Sequence, residues 1–222
     1  LLASSAASDV YKRQLYKLYQ NAFTPWKWQP ELKRIAEEEG LICFSSPFDK
    51  TSVDFLEAMD VPAYKIASFE ITDIPLIEYV ASKMKPVIIS TGIATYEDIE
   101  GAIAACKRVG NDQIALLKCT SSYPAPVALA NLRTIPDMRE RFKLPVGLSD
   151  HTMSSSVAIA SVALGARILE KHFILDRGIG GPDAAFSMNK EEFSEMVRCV
   201  REVEMALGKP CLLYTSPSPR DS

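Results

Sequence analysis

The chain has 222 residues with 47% hydrophobic and 24% charged side chains, enough to bury a substantial core as one domain. A net charge of −3, with no basic run and no alternation of basic and aromatic residues, gives no footing for nucleic-acid binding. No apolar stretch approaches the roughly 20 residues of a membrane span, and the start lacks the basic end and apolar core of a secretory signal.

The ends differ in texture from the rest. "LLASSAASDVYKRQ" (1–14) and "CLLYTSPSPRDS" (211–222) show no helix or strand period and are rich in Ser or Pro. They resemble translated sequencing-adaptor sequence, the other reading being disordered natural tails. The expected domain is therefore 15–210, with a non-native or disordered leader and tail around it.

Within 15–210 one unit recurs. After a helix "PELKRIAEEEG" that stops at Gly40, apolar runs of strand length begin near residues 41, 64, 87, 114, 146 and 168: "GLICFSSPF", "PAYKIASFE", "PVIISTG", "QIALLKCTSSYP", "PVGLSDHT" and "ARILEKHF". Each is apolar on both faces, as a buried parallel strand is. The segments between them have helical spacing. "TSVDFLEAMD" aligns Val53, Leu56 and Met59. "DIPLIEYVASKM" offers Asp73 as a cap and Pro75 in the first turn. "TYEDIEGAIAACKRVG" pairs Thr95 with Asp98 as a capping box and ends at Gly110. "SSSVAIASVALGA" and "NKEEFSEMVRCVREVEMALG" complete the set. Six successive β/α units imply a parallel sheet with right-handed crossovers, which an open doubly wound sheet and a closed (β/α)8 barrel both fit.

Every expected strand ends in a polar cluster: Ser45-Ser46, Ser68 with Glu70, Ser90-Thr91, Thr120-Ser121-Ser122, Ser149-Asp150-His151 and Glu170-Lys171-His172. No G-x-G-x-x-G follows a strand, which argues against a dinucleotide site. Polar strand ends suit an α/β (β/α)8 TIM barrel, whose active site collects residues from many carboxyl ends. Six strands would make the barrel incomplete, with about strands 3–8 present and two preceding Leu15.

The two histidines of the chain, His151 and His172, end two consecutive expected strands. Singly, each is more often a structural hydrogen-bonder. Together they suit a divalent first-row ion such as Mn2+, with Asp150 and Glu170 as candidates to orient the rings. Lys65 and Lys118 lie inside apolar strands, where a cation needs an anion or carboxylate; salt bridge, anion clamp and Schiff-base lysine all remain open. Nearby hydroxyls at Ser46, Ser68, Ser90, Thr91 and Ser149 favour an anion. Glu70 is a candidate general acid or base, or a surface acid leading a helix. Tyr123 and Pro124 could line a sugar site, and Asp183, in the loop after the last strand, could bind a hydroxyl or amide. Trp26 and Trp28 read as packing. Five scattered cysteines (Cys43, Cys106, Cys119, Cys199, Cys211) read as reduced thiols in a cytoplasm.

The strings "ICFSSPFD", "PAYKIASFE", "KPVIISTGIAT", "LLKCTSSYPAP", "VGLSDHT" and "ALGARILEKHF", in this order, resemble the sialic acid synthase family over about residues 15–210. "LYKLYQNAFTPWKW", "ASFE" and "LDRGIGGPDAAFSM" look closer to its pseudaminic acid synthase branch than to the N-acetylneuraminate branch. The resemblance implies a TIM barrel that condenses phosphoenolpyruvate with an open-chain 2,4-diacetamido-trideoxy-hexose aldehyde and releases phosphate. It gives His151 and His172 the metal (Mn2+ or Mg2+). Lys65, Ser46, Ser68, Ser90, Ser121 and Ser149 match positions that hold phosphoenolpyruvate. Glu70 matches an acid/base, and Tyr123 and Asp183 match sugar contacts. Lys118 joins the substrate-binding set and Lys65 the catalytic one. Ser121 stands where the N-acetylneuraminate branch shows Asn. In the family, a further acid and lysine come from the first two strands, and a small C-terminal antifreeze-like domain lends an arginine to the partner subunit of a homodimer. The chain as written is accordingly expected to be inactive or barely stable. N-acetylneuraminate or legionaminate synthesis, a Schiff-base pyruvate aldolase on Lys65 or Lys118, and a non-catalytic barrel with structural histidines are the competing expectations.

Overall fold

The computed structural model describes residues 24–210; the expected leader, the tail and Cys211 lie outside them. The fold is α/β, with parallel strands that follow chain order. The described residues form two compact units, one of 24–89, 94–114 and 179–182, the other of 90–93, 115–178 and 183–210.

In the first unit, helix α1 (Gln29–Glu38) is followed by α2 (Lys50–Ala58), strand β1 (Tyr64–Ile66), α3 (Ile74–Ala81), β2 (Val87–Ser90, its last residue in the second unit) and α4 (Tyr96–Arg108). The helices begin where short polar side chains cap them. Asp49 accepts from Ser52 N, Asp73 from Leu76 N, and Thr95 from Asp98 N, the first and last as closed capping boxes. Gly110 ends the α4 segment at φ +87°, a conformation glycine adopts without strain. β1 pairs with β2 in parallel, Tyr64 opposite Val87 and Ile66 opposite Ile89. All three β1 residues are buried. Around them Val53, Leu56, Ile71, Ile77, Val80, Ile99 and Ala102 are buried apolar residues. Trp26 stacks on Phe55 with ring centroids 4.7 Å apart, so it packs as its spacing suggested.

Asn111 ties the end of α3 and the approach to β2 to the residue before Ile114. Its fully buried amide donates to the carbonyls of Ala81 (3.0 Å) and Lys85 (2.8 Å), and its Oδ1 accepts from Gln113 N (2.9 Å).

The run 41–46, expected as the first strand, forms only a single parallel bridge from Ser45 to Tyr64. Leu41 and Ile42 are 63% and 76% exposed. Among the described residues no second strand pairs with this run, so little holds it extended.

The second unit carries β3 (Ile114–Cys119, its first residue in the first unit), α5 (Thr134–Phe142), β4 (Val146–Asp150), α6 (Ser155–Ala163), β5 (Leu169–Lys171) and α7 (Lys190–Leu207). β4 pairs in parallel with β3 on one side and β5 on the other. Ala158 and Val162 of α6, Met196 and Val200 of α7, and Met188 just before α7 form one buried cluster. Gly147 is required in β4: a Cβ there would stand 2.3 Å from the Ile168 carbonyl oxygen and 2.7 Å from Leu117 Cδ2. Among the described residues no helix is long and apolar enough to cross a membrane.

Candidate active site

The carboxyl ends of β4 and β5 build the site. Their register sets Ser149 opposite Glu170 and Asp150 opposite Lys171, and successive side chains in a strand leave by opposite faces. On one face Ser149 Oγ donates to Glu170 Oε1 at 2.6 Å. On the other, Lys171 Nζ meets Asp150 Oδ2 at 2.7 Å, with both side chains 2% exposed. One residue further along each chain stand His151 and His172. Their ring centroids are 5.2 Å apart and their planes cross at 62°.

Each ring is oriented through its Nδ1. His151 Nδ1 lies 3.0 Å from the Thr120 carbonyl oxygen; a carbonyl only accepts, so this nitrogen carries the proton. Cys119 Sγ is 3.9 Å from the same nitrogen. His172 Nδ1 faces Asp183 Oδ2 at 3.5 Å. The backbone of His172 is pinned as well, since its carbonyl accepts from Met188 N at 2.9 Å. Aromatic rings close around the pair. Tyr123 lies 4.2 Å from His151 and 6.0 Å from His172 between centroids, and Phe186 lies 4.9 Å from His172.

The pKa values of the two imidazoles shift in opposite directions. Burial alone would lower the His151 pKa, but its hydrogen bonds to Cys119 and Thr120 and the charges of Cys119 and Glu170 outweigh it and raise the value. Burial dominates at His172 and lowers it, with His151 and Lys171 adding to the effect and Asp183 and Glu170 opposing it.

The other second-unit candidates stand at neighbouring strand ends. Lys118 is buried and donates to Thr120 Oγ1 at 2.5 Å. Burial lowers its pKa, opposed in part by Cys119 and Asp150. Ser90, Thr91 and Ser149 are buried, and Thr91 Oγ1 donates to the Leu117 carbonyl. Ser121 Oγ lies 3.9 Å from Cys119 Sγ.

The first unit holds Ser46, Lys65, Ser68 and Glu70. Lys65 and Ser68 are buried, and Lys65 Nζ donates to the Ile66 carbonyl at 3.2 Å. Glu70 Oε2 is buried without a hydrogen-bond partner. Burial raises its pKa, which Lys65 counters in part. A carboxyl in that state can exchange a proton closer to neutral pH than an exposed one.

The expectation that Asp150 orients a ring is corrected, while the charge of Glu170 bears on both rings. Asp150 leaves β4 by the face opposite the histidines and pairs with Lys171, while Glu170 takes the Ser149 hydroxyl. The Thr120 carbonyl and Asp183 hold the rings instead. Residue-type patterns could not point to Thr120, because a backbone carbonyl has no sequence signature; Phe186 lay unread in the loop after the last strand.

For a divalent ion the pair fits as a two-imidazole donor set. Both Nδ1 atoms are engaged by an oxygen, the arrangement that leaves Nε2 to a metal and fixes its direction. Among the described residues no group of three or more His, Cys, Asp or Glu side chains could hold a metal by itself.

Parallel β/α architecture with paired imidazoles and buried hydroxyls at the strand ends defines a small-molecule site of the kind that open and closed α/β sheets carry at their carboxyl edge. The chain belongs to the NeuB family, whose model matches residues 3–211. It is 46% identical over 197 residues to the pseudaminic acid synthase of Campylobacter jejuni, a match spanning 89% of this chain and 57% of that protein. It is 46% identical over 198 residues to the pseudaminic acid synthase of Helicobacter pylori, spanning 89% and 58%. Among solved structures, the N-acetylneuraminic acid synthetase of Leptospira borgpetersenii superimposes with a TM-score of 0.86 at 31% identity, covering 94% of this chain and 72% of that one. The chain thus spans less than two thirds of the synthases it matches by sequence.

Proposed function

We propose that this chain carries the condensing site of a nonulosonic acid synthase, joining phosphoenolpyruvate to a 2,4-diacetamido-trideoxy-hexose aldehyde to give pseudaminic acid and phosphate. The observation that carries the reading is the His151–His172 pair, whose rings meet beside Tyr123 with both Nδ1 atoms engaged. The relatives narrow the product, because those at 46% identity make pseudaminic acid. The parallel strands in chain order support assignment to part of a (β/α)8 barrel, about strands 3–8. A homodimer and a cytoplasmic setting complete the proposal. The four described cysteines form no disulfide, and burial pushes the Cys106 thiol up to about 11, which disfavours its thiolate.

In this mechanism His151 and His172 would hold a divalent ion, Mn2+ or Mg2+. When bound, it supplies Lewis-acid polarisation of the aldehyde carbonyl. Thr120 and Asp183 keep the rings aimed, and Tyr123 lines the sugar side. Ser90, Lys118, Ser121 and Ser149 are assigned to the anionic groups of phosphoenolpyruvate. In the first unit, Ser46, Lys65 and Ser68 are assigned the same task and Glu70 proton transfer, on their matching motifs. The C3 carbon of phosphoenolpyruvate bonds to the aldehyde carbon, water adds at C2, and phosphate departs by C–O cleavage.

Phosphate release is measured for the full-length enzyme with phosphoenolpyruvate and each candidate sugar. Turnover with the diacetamido-trideoxy sugar is expected. Turnover with N-acetylmannosamine alone would move the assignment to N-acetylneuraminate, and turnover with the corresponding legionaminate precursor to that product. The depressed Lys118 pKa favours one other reading, a Schiff-base pyruvate aldolase. Borohydride trapping of a pyruvate adduct, with activity surviving EDTA, distinguishes it.

A further inference from the structure

We propose that the buried Asp150–Lys171 pair is a positioning device for the two histidines, a role resting on the reading of His151 and His172 as the metal-holding pair. Asp150 immediately precedes His151, Lys171 immediately precedes His172, and the two lie opposite each other in the β4–β5 register. Lys171 Nζ spans two acceptors, Asp150 Oδ2 at 2.7 Å and the Thr152 carbonyl at 2.5 Å. Asp150 Oδ1 in turn accepts from Thr152 N at 2.9 Å. These contacts form a closed ring joining the end of β5, the end of β4 and the turn that leaves His151.

Sheet stability alone does not call for this arrangement. Two charges held at 2% exposure give up strong hydration, and a well-packed apolar pair of similar volume commonly stabilises a fold as well or better. A charged, hydrogen-bonded pair adds direction: its contacts are satisfied at one relative slide of the two strands and one course of the following turn. Adjacent residues leave a strand by opposite faces, so a shift of the clamp moves the imidazoles on the other side. Rings 5.2 Å apart, each with its Nδ1 on a separate oxygen, tolerate little such shift.

The test reads the two rings separately, with the His151 and His172 signals assigned by their loss in H151A and H172A. With 15N-histidine in the full chain, long-range proton–nitrogen spectra read each tautomer, and a ring-to-ring nuclear Overhauser effect reads their proximity. Wild type is expected to show His151 protonated on Nδ1 and a cross-peak between the rings. Single changes such as K171M leave a buried charge unpaired and risk unfolding, so the decisive variant is D150L/K171M, with folding checked by circular dichroism. It is expected to fold, to lose the cross-peak and to mix tautomers, while K171R, which keeps a cation, retains both features. Wild-type signals in D150L/K171M, or no cross-peak in wild type, would overturn the proposal. Co2+ titration should show an approximately tenfold or larger rise in Kd for the double variant; an unchanged Kd would also overturn it. A wild type that binds no Co2+ would sink the metal reading instead, and the ring signals would still decide whether the clamp exists.

Discussion

The Thr120 carbonyl oxygen stands 3.0 Å from His151 Nδ1, so the residue just past β3 fixes the tautomer of the residue just past β4. Asp183 faces His172 in the same way from a loop. With Nδ1 engaged on each ring, Nε2 is the nitrogen left to bind. H151A and H172A are each expected to weaken Mn2+ binding by at least about tenfold, measured by calorimetry. Equal affinity in wild type and both variants would remove the histidines from the metal site.

D183N tests the loop separately. Asp183 opposes the burial that lowers the His172 pKa, so removing its charge is expected to lower the His172 titration midpoint further, as followed by NMR. An upward shift would contradict the arrangement. The same variant is expected to lose about 10- to 100-fold in metal affinity.

Glu70 predicts a stability that depends on pH. Burial raises its folded pKa above the ordinary 4.5. A raised carboxyl contributes stability that is complete below the unfolded pKa and is lost as pH rises through the folded one. Glutamine stays neutral throughout. E70Q is therefore expected to melt above wild type at about pH 7 and to match it at about pH 4. A constant gap across that range would refute the sign. Under the proposed function E70Q is also less active, a stability gain bought with function.

Two glycines should respond in opposite directions to alanine. At Gly147 the added Cβ meets a backbone carbonyl at 2.3 Å, and backbone cannot swing aside as a side-chain tip can. G147A is expected to destabilise by about 1–3 kcal/mol or more in urea unfolding. At Gly101, within α4, the nearest atom is Ile74 Cδ1 at 3.9 Å. G101A is expected to stabilise by about 1 kcal/mol, the helix-propensity difference. A G147A variant as stable as wild type or more so would contradict the close approach at Gly147, and a destabilised G101A would contradict the open space at Gly101.

Much of this fold was legible because short polar residues mark the helix starts: Asp73 and Thr95 cap where their spacing indicated. Helix α5 escaped notice. Arg133 at its start offers no side-chain cap, and the helix ends at Lys143 in a left-handed turn rather than at a glycine. Ile135 and Met138, three apart and buried, were the available signal. The meeting of His151 and His172 was legible from consecutive parallel strands. Their supporting atoms were not, for two reasons. Asp150 was expected beside the rings although the two-residue period of a strand turns it to the other face, and the Thr120 carbonyl belongs to a neighbouring strand that only the folded register brings near.

Asn111 points to how such a scaffold can change its chemistry. One amide gathers the carbonyls of Ala81 and Lys85 and the N–H of Gln113 ahead of β2 and β3. A frame stitched there draws no support, through these bonds, from the loops at the opposite ends. Those loops can drift in sequence and change what they bind while the seam beneath them stays closed.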